Sequence, residues 1–246
     1  YPVVLMPIFS IYYLIKRQYR ELSYFSLATI ATSCLIIIPF ISVSYGEFFS
    51  FLEYHELRGI QLETLAAGLI LLASKMGLTN LGVELNYGAF HLVSPWADFL
   101  LQSSALTFIF LFLFGLVFFK CFHSFRQEYI AEGKISEQNL LLYVVAILVV
   151  FIISNKVFSP QYMVWLMPFA ILLSQREQNL FLAISILTIA LYPFLYDELV
   201  NQDLSPVLVL NVRNFLMLVF LSQLLTRKPS LSKKSDITLL EVASKK

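Results

Sequence analysis

The stretch LLLYVVAILVVFIISNKVFSPQYMVWLMPFAILLSQ, residues 140–175, decides the fold class. It joins two runs that contain no Asp, Glu, Lys or Arg, residues 138–155 and 157–175, and a single lysine, Lys156, separates them. A helix that spans a bilayer needs about 20 predominantly apolar residues. The stretch is therefore typical of two transmembrane helices joined by a short polar hairpin.

The composition of the whole chain agrees with this reading. The 246 residues are 59% hydrophobic and only 13% charged, with a mean hydropathy of +0.77. A soluble domain carries about 25% charged residues. The chain is therefore predicted to be an integral membrane protein, in which the polar positions carry the information. Cys34 and Cys121 lie in or beside apolar runs without metal-type spacing, and we interpret both as small apolar residues.

Charge-free runs set the number of spans and the domain organisation. We predict an all-α polytopic transmembrane bundle over residues 1–225, with about seven spans. No basic flank precedes the first run, which begins at Tyr1, so it does not resemble a signal peptide. We expect the chain to be the C-terminal part of a longer protein. The last run is expected to begin near Pro206, which places Arg213 inside it. The candidate spans are residues 1–15, 22–46, 99–119, 138–155, 157–175, 178–196 and 214–226.

The basic residues fall unequally on the two sides that alternation of these spans creates. Of the 17 Lys and Arg residues, the outer side receives only four, namely Arg58, Lys75, Lys156 and Arg213. The positive-inside rule makes the richer side cytoplasmic. The tail, residues 226–246, is basic and is predicted to lie in the cytoplasm. The predicted location is the cytoplasmic (inner) membrane, with the lipid bilayer as the first partner.

A long outer connection, residues 45–100, contains an apolar segment that does not fit the alternation. If residues 64–78 crossed the membrane, every later element would change sides and the basic residues would move outside. We therefore predict an interfacial or re-entrant helix for residues 64–78, which is short enough for that role.

Two polar motifs lie on the outer side. The first, YHELRGIQLE, carries His55, Arg58, Gln61 and Glu63. It reads either as a solvated loop or as an anion site, because arginine binds phosphate bidentately and keeps its charge near lipid. The spacing is not that of a zinc site.

The second motif, NKVFSPQY, follows the fourth span. Pro160 breaks a helix and restricts the residue before it, so the backbone is expected to turn near the membrane surface. One reading is a hairpin in which Lys156 snorkels to the interface. That reading does not explain Asn155 together with Gln161. Arg213 either snorkels outward or faces a hydrophilic cavity.

Together the two motifs resemble those of bacterial polytopic glycosyltransferases of the C superfamily. The resemblance is to the family-87 type, related to polyprenol-phosphate-mannose-dependent α-mannosyltransferases. That family tends to show a Tyr-His pair followed by Arg-Gly, Gln and Glu, and later Asn-Lys followed by Ser-Pro-Gln-Tyr. The matching residues are Tyr54, His55, Arg58, Gly59, Gln61, Glu63, Asn155, Lys156, Ser159, Pro160, Gln161 and Tyr162.

The resemblance implies transfer of a sugar, mannose or another hexose or pentose, from a polyprenyl-phosphate carrier to a lipid-linked or glycan acceptor. The transfer would take place on the outer face of the cytoplasmic membrane. In that family the catalytic carboxylate typically lies in a first outer loop, so the catalytic residue is expected upstream of Tyr1. The chain shows no cofactor motif and no metal-ligand set, although metal dependence varies in the superfamily. Nothing indicates nucleic-acid binding. The candidate donor-phosphate or substrate-binding residues are His55, Arg58, Gln61, Glu63, Asn155, Lys156, Gln161, Tyr162 and Arg213.

Two other functions remain open at this point. A lipid-carrier transporter or flippase also needs outer cations beside an apolar groove. A noncatalytic membrane scaffold would use the motifs only for packing and turning.

Overall fold

The computed structural model describes residues 2–227 and is 77% helical, which confirms the predicted all-α membrane class. The part of the tail beyond Arg227 lies outside the described residues. The helices are α1 (Met6–Ile15), after a 3-10 turn at Pro2–Leu5, α2 (Tyr19–Val43), α3 (Tyr45–Phe48), α4 (Ser50–Leu57), α5 (Leu65–Lys75), α6 (Pro95–Gln102), α7 (Ala105–Glu132), α8 (Glu137–Ser154), α9 (Gln161–Ala170), α10 (Gln175–Ile189), which continues as a π-helical turn (Ala190–Phe194), α11 (Tyr196–Val200) and α12 (Leu204–Thr226). The strands are β1 (Ile60–Gln61), β2 (Gly82–Asn86) and β3 (Ala89–Val93).

Five helices are long and apolar enough to cross a membrane: α2, α7, α8, α10 with its π-helical turn, and α12. They coincide with five of the seven predicted runs. α12 begins at Leu204, so Arg213 lies about 14 Å along its axis at 1.5 Å per residue.

The other two runs form shorter helices. The run over residues 157–175 holds only α9, whose ten residues rise about 15 Å, too little to cross a bilayer alone. Residues 155–160 before it are not helical: Pro160 is the N-cap of α9 and disfavours a helical conformation at Ser159. The apolar helix at the start of the chain, Val3–Ile15, is also short.

α8 is the central helix of the bundle. Most of its residues are buried, and it packs against α7, α9 and α12. At one end the Tyr143 hydroxyl donates to the Lys120 carbonyl (3.1 Å) and Lys120 Nζ donates to the Leu225 carbonyl (3.4 Å). Arg227 pairs there with Glu177 of α10 (2.9 Å). We call this the basic end of the bundle.

The α7–α8 turn lies at the basic end and is held by buried polar groups. Glu128 is fully buried. Its carboxylate accepts from the Ser136 amide (3.1 Å) and from Asn139 Nδ2 (2.7 Å). Gly133 ends α7 at φ 71°, a conformation that favours glycine. These contacts fix the angle between the two helices.

The connection over residues 45–100 folds into a unit of its own at the opposite end. Its strands form an antiparallel sheet in the order β1-β3-β2. His91 of the central strand β3 pairs with Gln61 of β1 on one side and with Glu84 of β2 on the other. The sheet was not predicted from the sequence. A second apolar core lies beneath it and includes Ile60, Leu71 and Leu92 with Val207 and Leu210 of α12.

The predicted helix over residues 64–78 is present as α5. Thr64 caps it, since its hydroxyl accepts from the Ala67 amide (3.0 Å). Its eleven residues rise about 16 Å, which is too short to span a bilayer. α5 runs along the first half of α12, where Asn211 Nδ2 donates to the Gly68 carbonyl (3.0 Å) and Asn214 Nδ2 to the Thr64 carbonyl (3.1 Å).

Candidate functional site

The structure brings the two polar motifs into contact. The backbone amide of Gln61 donates to the backbone carbonyl of Lys156 (2.9 Å), and Lys156 Nζ donates to the Glu56 carbonyl (3.0 Å). Residues 56–63 therefore lie directly beside residues 155–161, although about 100 residues separate them in sequence. We call residues 155–161 the shared wall, because its first two residues line one cavity and its last three line another.

The polar cavity has a volume of about 380 Å³. Residues from both motifs line it, so the predicted site residues Gln61, Glu63 and Gln161 come together here. The β2–β3 hairpin and the segment after α10 complete the lining. The lining residues are Gln61, Glu63, Leu85, Gly88, Ala89, Phe90, Ser159, Pro160, Gln161, Tyr192 and Tyr196.

Two buried side chains form the polar base of this cavity. Gln61 is 5% exposed and Glu63 is 3% exposed. Gln61 Nε2 donates to Glu63 Oε2 (3.2 Å), while Gln61 Oε1 has no hydrogen-bond partner. Burial raises the pKa of Glu63 from 4.5 to about 7, and the positive charge of Arg213 opposes that rise. Glu63 therefore exchanges a proton near neutral pH, which an exposed glutamate does not.

Arg213 lies behind the polar cavity and is enclosed by protein. It is 1% exposed. Its Nη2 donates to the Glu63 carbonyl (2.6 Å), and its guanidinium carbon lies 3.9 Å from the centre of the Phe158 ring. The side chain therefore does not snorkel outward. It joins α12 to the first motif through Glu63 and to the second motif through Phe158.

The amphipathic pocket lies on the other side of the shared wall and has a volume of about 310 Å³. Lys156 and Asn155 supply its polar end. The Asn155 side chain accepts from the Val157 amide (3.1 Å) and so shapes the turn. The lining residues are Leu100, Leu101, Ser104, Leu106, Thr107, Phe110, Phe151, Ser154, Asn155 and Lys156.

The tip of the β2–β3 hairpin covers part of the polar cavity. Tyr87 and Gly88 form the tip with φ of 49° and 70°, the left-handed region that suits glycine. The Tyr54 hydroxyl donates to the Tyr87 carbonyl (2.6 Å), and the two rings meet edge to face at 5.1 Å. The first residue of the Tyr-His pair thus holds the hairpin in place over the cavity.

The remaining candidate residues lie around these two cavities. His55 is exposed on α4, against the rings of Phe51 and Tyr54. Tyr162 is buried at the start of α9, with its ring 4.4 Å from that of Trp165. Arg58 is half-buried at the end of α4, and its Nε is buried without a hydrogen-bond partner.

His91 lies on the central strand β3, close to Arg58. Burial lowers its pKa, and the nearby charge of Arg58 lowers it further. Its ring faces the backbone of Gly59, Ile60 and Asn86, yet neither nitrogen forms a hydrogen bond of standard geometry. A Cβ on Gly59 would lie 3.2 Å from His91 Cβ, so glycine allows this close approach.

The three candidate cations, Arg58, Lys156 and Arg213, occupy different places. Lys156 lines the amphipathic pocket, Arg213 is enclosed behind the polar cavity, and Arg58 lies beside His91. The structure therefore does not place these three cations around one cavity. Among the described residues, no three His, Cys, Asp or Glu side chains are grouped to hold a metal ion.

Sequence reasoning missed the aromatic side of the polar cavity. Tyr192 and Tyr196 lie 5.1 Å apart, centre to centre, and Phe90 lies 5.9 Å from Tyr196. The signal in the sequence was the segment LYPFLY, where Pro193 interrupts a predicted span.

Comparisons with protein-family models, with curated proteins and with solved structures find no match for this chain.

Proposed function

We propose that the chain is part of an integral membrane glycosyltransferase. The enzyme would move a sugar, mannose or another hexose or pentose, from a polyprenyl-phosphate carrier to a lipid-linked or glycan acceptor. The observation that carries the proposal is the shared wall. The two motifs that resemble those of family-87 enzymes meet there and line adjoining cavities.

The chemistry of the amphipathic pocket supports a lipid-phosphate ligand. Leu100, Leu101, Phe110 and Phe151 offer an apolar surface of the kind that a prenyl chain contacts. Lys156 supplies a positive charge at its polar end, and a partly buried charge attracts a phosphate more strongly than one in water.

The proposed membrane placement has about seven crossings. Five crossings are the five long helices, and the other two would be the run over residues 1–15, in which α1 rises only about 15 Å, and the segment over residues 155–174. The basic end then faces the cytoplasm and both cavities face the outer half of the bilayer. The basic tail, residues 226–246, would lie on the cytoplasmic face of the inner membrane.

Donor use by a Lys156→Met variant tests the proposal. The protein is made from its complete gene and reconstituted in liposomes with radiolabelled polyprenyl-phosphate mannose and other polyprenyl-phosphate sugars. The rate of release of polyprenyl phosphate is measured against donor concentration. Loss of a charge-assisted contact of about 1.5–3 kcal/mol should raise the KM for the donor roughly tenfold to a hundredfold.

The matched control is Lys75→Met, which removes an exposed lysine on the same side of the bundle. It should transfer sugar at the wild-type rate. Arg58→Met, next to Lys156, should also weaken donor use. Normal transfer by both Lys156→Met and Arg58→Met would refute the assignment.

The amphipathic pocket would equally suit a lipid-carrier transporter, which is the second candidate. A transporter moves the carrier across the bilayer and leaves its sugar attached. The same liposomes separate the two functions, since movement of intact donor between leaflets without release of polyprenyl phosphate favours transport. Unchanged behaviour in all the variants would instead favour a noncatalytic scaffold.

A further inference from the structure

The geometry points to different ligand groups for the two cavities. The polar cavity binds a neutral saccharide, while the charged phosphate of the lipid is held on the other side of the shared wall. This inference rests on the proposed function for the class of its ligands. The assignment of the polar cavity itself comes from its charge, its hydrogen-bonding groups and its aromatic side.

The charge of the polar cavity disfavours a phosphate. Glu63 is the ionisable carboxylate at its base, and none of the described residues that line it is basic. Arg213 directs its Nη2 at the Glu63 carbonyl and lies against Phe158, and it is not among the residues that line the cavity. Above about pH 7, where Glu63 is ionised, an anion in this cavity would meet a like charge, whereas a neutral ligand carries no such cost.

The hydrogen-bonding groups of the cavity match a polyhydroxylated ligand. Gln61 is 95% buried, being 5% exposed, and its Oε1 has no partner. An unpaired buried acceptor is costly, and a hydroxyl donor would satisfy it. The Glu63 carboxyl, the Ser159 hydroxyl and the Gln161 side-chain amide also line the cavity and can form hydrogen bonds with a ligand. Small-molecule sites combine a few convergent polar groups in this way.

The aromatic side of the cavity completes the match. The rings of Phe90, Tyr196 and Tyr192 form a continuous row, with centre-to-centre distances of 5.9 and 5.1 Å. One face of a pyranose is made largely of C–H groups, which pack on aromatic rings, while its rim of hydroxyls reaches carboxylates and amides. The volume of about 380 Å³ lies within the range of small-molecule pockets, roughly 300–1,000 Å³.

Saturation-transfer NMR on the protein from its complete gene, in lipid nanodiscs, tests this directly. The probes are the methyl glycosides of mannose, glucose, galactose and arabinose, together with inorganic phosphate. At least one glycoside should bind, and Glu63→Gln should raise its Kd tenfold or more. Gln161→Leu changes an exposed residue on the opposite side of the same cavity and should act in the same direction if Glu63→Gln fails to fold.

Two controls isolate the polar cavity. Glu84→Gln removes an exposed carboxylate from the neighbouring strand β2 and should leave glycoside binding unchanged. Lys75→Met, which removes an exposed lysine on the same side of the bundle, should also leave glycoside binding unchanged. The inference is overturned if no glycoside binds, if phosphate competes with the glycoside, or if Glu63→Gln and Glu84→Gln bind it alike.

The outcome is separable from that of the proposed function. Glycoside binding that depends on Glu63, in a protein that releases no polyprenyl phosphate from any donor, supports the saccharide site and refutes the transferase. Sugar transfer that continues with an unchanged saccharide KM in Glu63→Gln and Gln161→Leu supports the transferase and refutes this site.

Discussion

At the scale of single residues, Glu63 shows how burial changes the chemistry of a side chain. Its carboxyl lies in a polar cavity, but water reaches little of it, so desolvation outweighs the attraction of Arg213. A raised pKa in the fold means that the folded state binds the proton more strongly than the unfolded chain. The stabilisation is complete below the ordinary pKa of 4.5 and is lost as the pH rises through about 7.

This shift predicts a pH-dependent stability that one substitution removes. A difference from 4.5 to about 7 corresponds to a loss on the order of 3 kcal/mol between acidic and alkaline pH. Glu63→Gln has no proton to lose. The melting midpoint of Glu63→Gln minus that of the wild type should therefore increase as the pH is raised from 5 to 8. Intrinsic fluorescence melts in nanodiscs measure this, and parallel pH curves for wild type and variant would contradict the shift. Glu84→Gln, which is exposed, should follow the wild type.

The candidate residues show what the sequence was able to reveal at this scale. Gln61, Glu63 and Gln161 were selected because they lie in two short polar motifs, which are local features and resemble those of a known family, and all three line the polar cavity. Tyr192 and Tyr196 were missed because tyrosines at the end of an apolar run read as part of a span. The placement of Arg213 between Glu63 and Phe158 depends on chain segments that are distant in sequence, so no local pattern predicts it.

At the scale of elements, the pairing of α5 with α12 depends on a glycine. A Cβ on Gly68 would lie 2.9 Å from Asn211 Oδ1 and 3.0 Å from Asn214 Nδ2. Both asparagines bond to backbone carbonyls of the α5 region, so neither can move without losing its hydrogen bond. The close approach allows the two helices to form one body beneath the outer cavities.

Gly68→Ala is therefore expected to destabilise the protein in spite of the higher helix propensity of alanine. Displacement of one buried amide should cost about 1–3 kcal/mol, which exceeds the propensity gain of about 1 kcal/mol. Gly115→Ala is the matched control, since nothing lies within 4 Å of a Cβ at that position in α7. Thermal melts of both variants check this, and a Gly68→Ala variant as stable as Gly115→Ala would show that α5 and α12 are not so tightly paired.

The elements also mark where prediction from the sequence ended. Hydropathy is local, and it located the five long helices and the short helix α5. The strands β2 and β3 were missed because the outer connection was taken for a loop with one helix. A turn signal was present, since Asn86-Tyr87-Gly88 separates two short segments that contain β-branched and aromatic residues. β1 has only two residues and carries no signal of its own.

At the scale of the whole molecule, the distribution of lysines predicts sidedness. Lys75 ends α5 at the outer unit, and Lys134 follows α7 at the basic end; both are exposed. In a background with Cys34→Ala and Cys121→Ala, a membrane-impermeant maleimide added outside intact cells should label Lys75→Cys. It should label Lys134→Cys only after the membrane is permeabilised. Labelling of both from the same side would mean that α5 crosses the bilayer or that the charge rule was misapplied.

α2 stands apart from the rest of the molecule. It is long enough to cross the membrane, none of its described residues is buried, and it packs mainly on α1 and α3. Its apolar side chains, such as Leu35 and Ile36, are exposed in the structure. In a bilayer these side chains meet lipid tails, which are as apolar as leucine.

The shared wall has a thermodynamic consequence for the whole molecule. Its backbone bonds to Gln61 on the side of the polar cavity, while its Lys156 side chain reaches the amphipathic pocket. A ligand that shifts this segment in one compartment changes the free energy of occupancy in the other, and such coupling is reciprocal. If the first substrate improves affinity for the second by some factor, the second improves affinity for the first by the same factor. The segment would then act as a heterotropic link that favours the doubly loaded state over either singly loaded one.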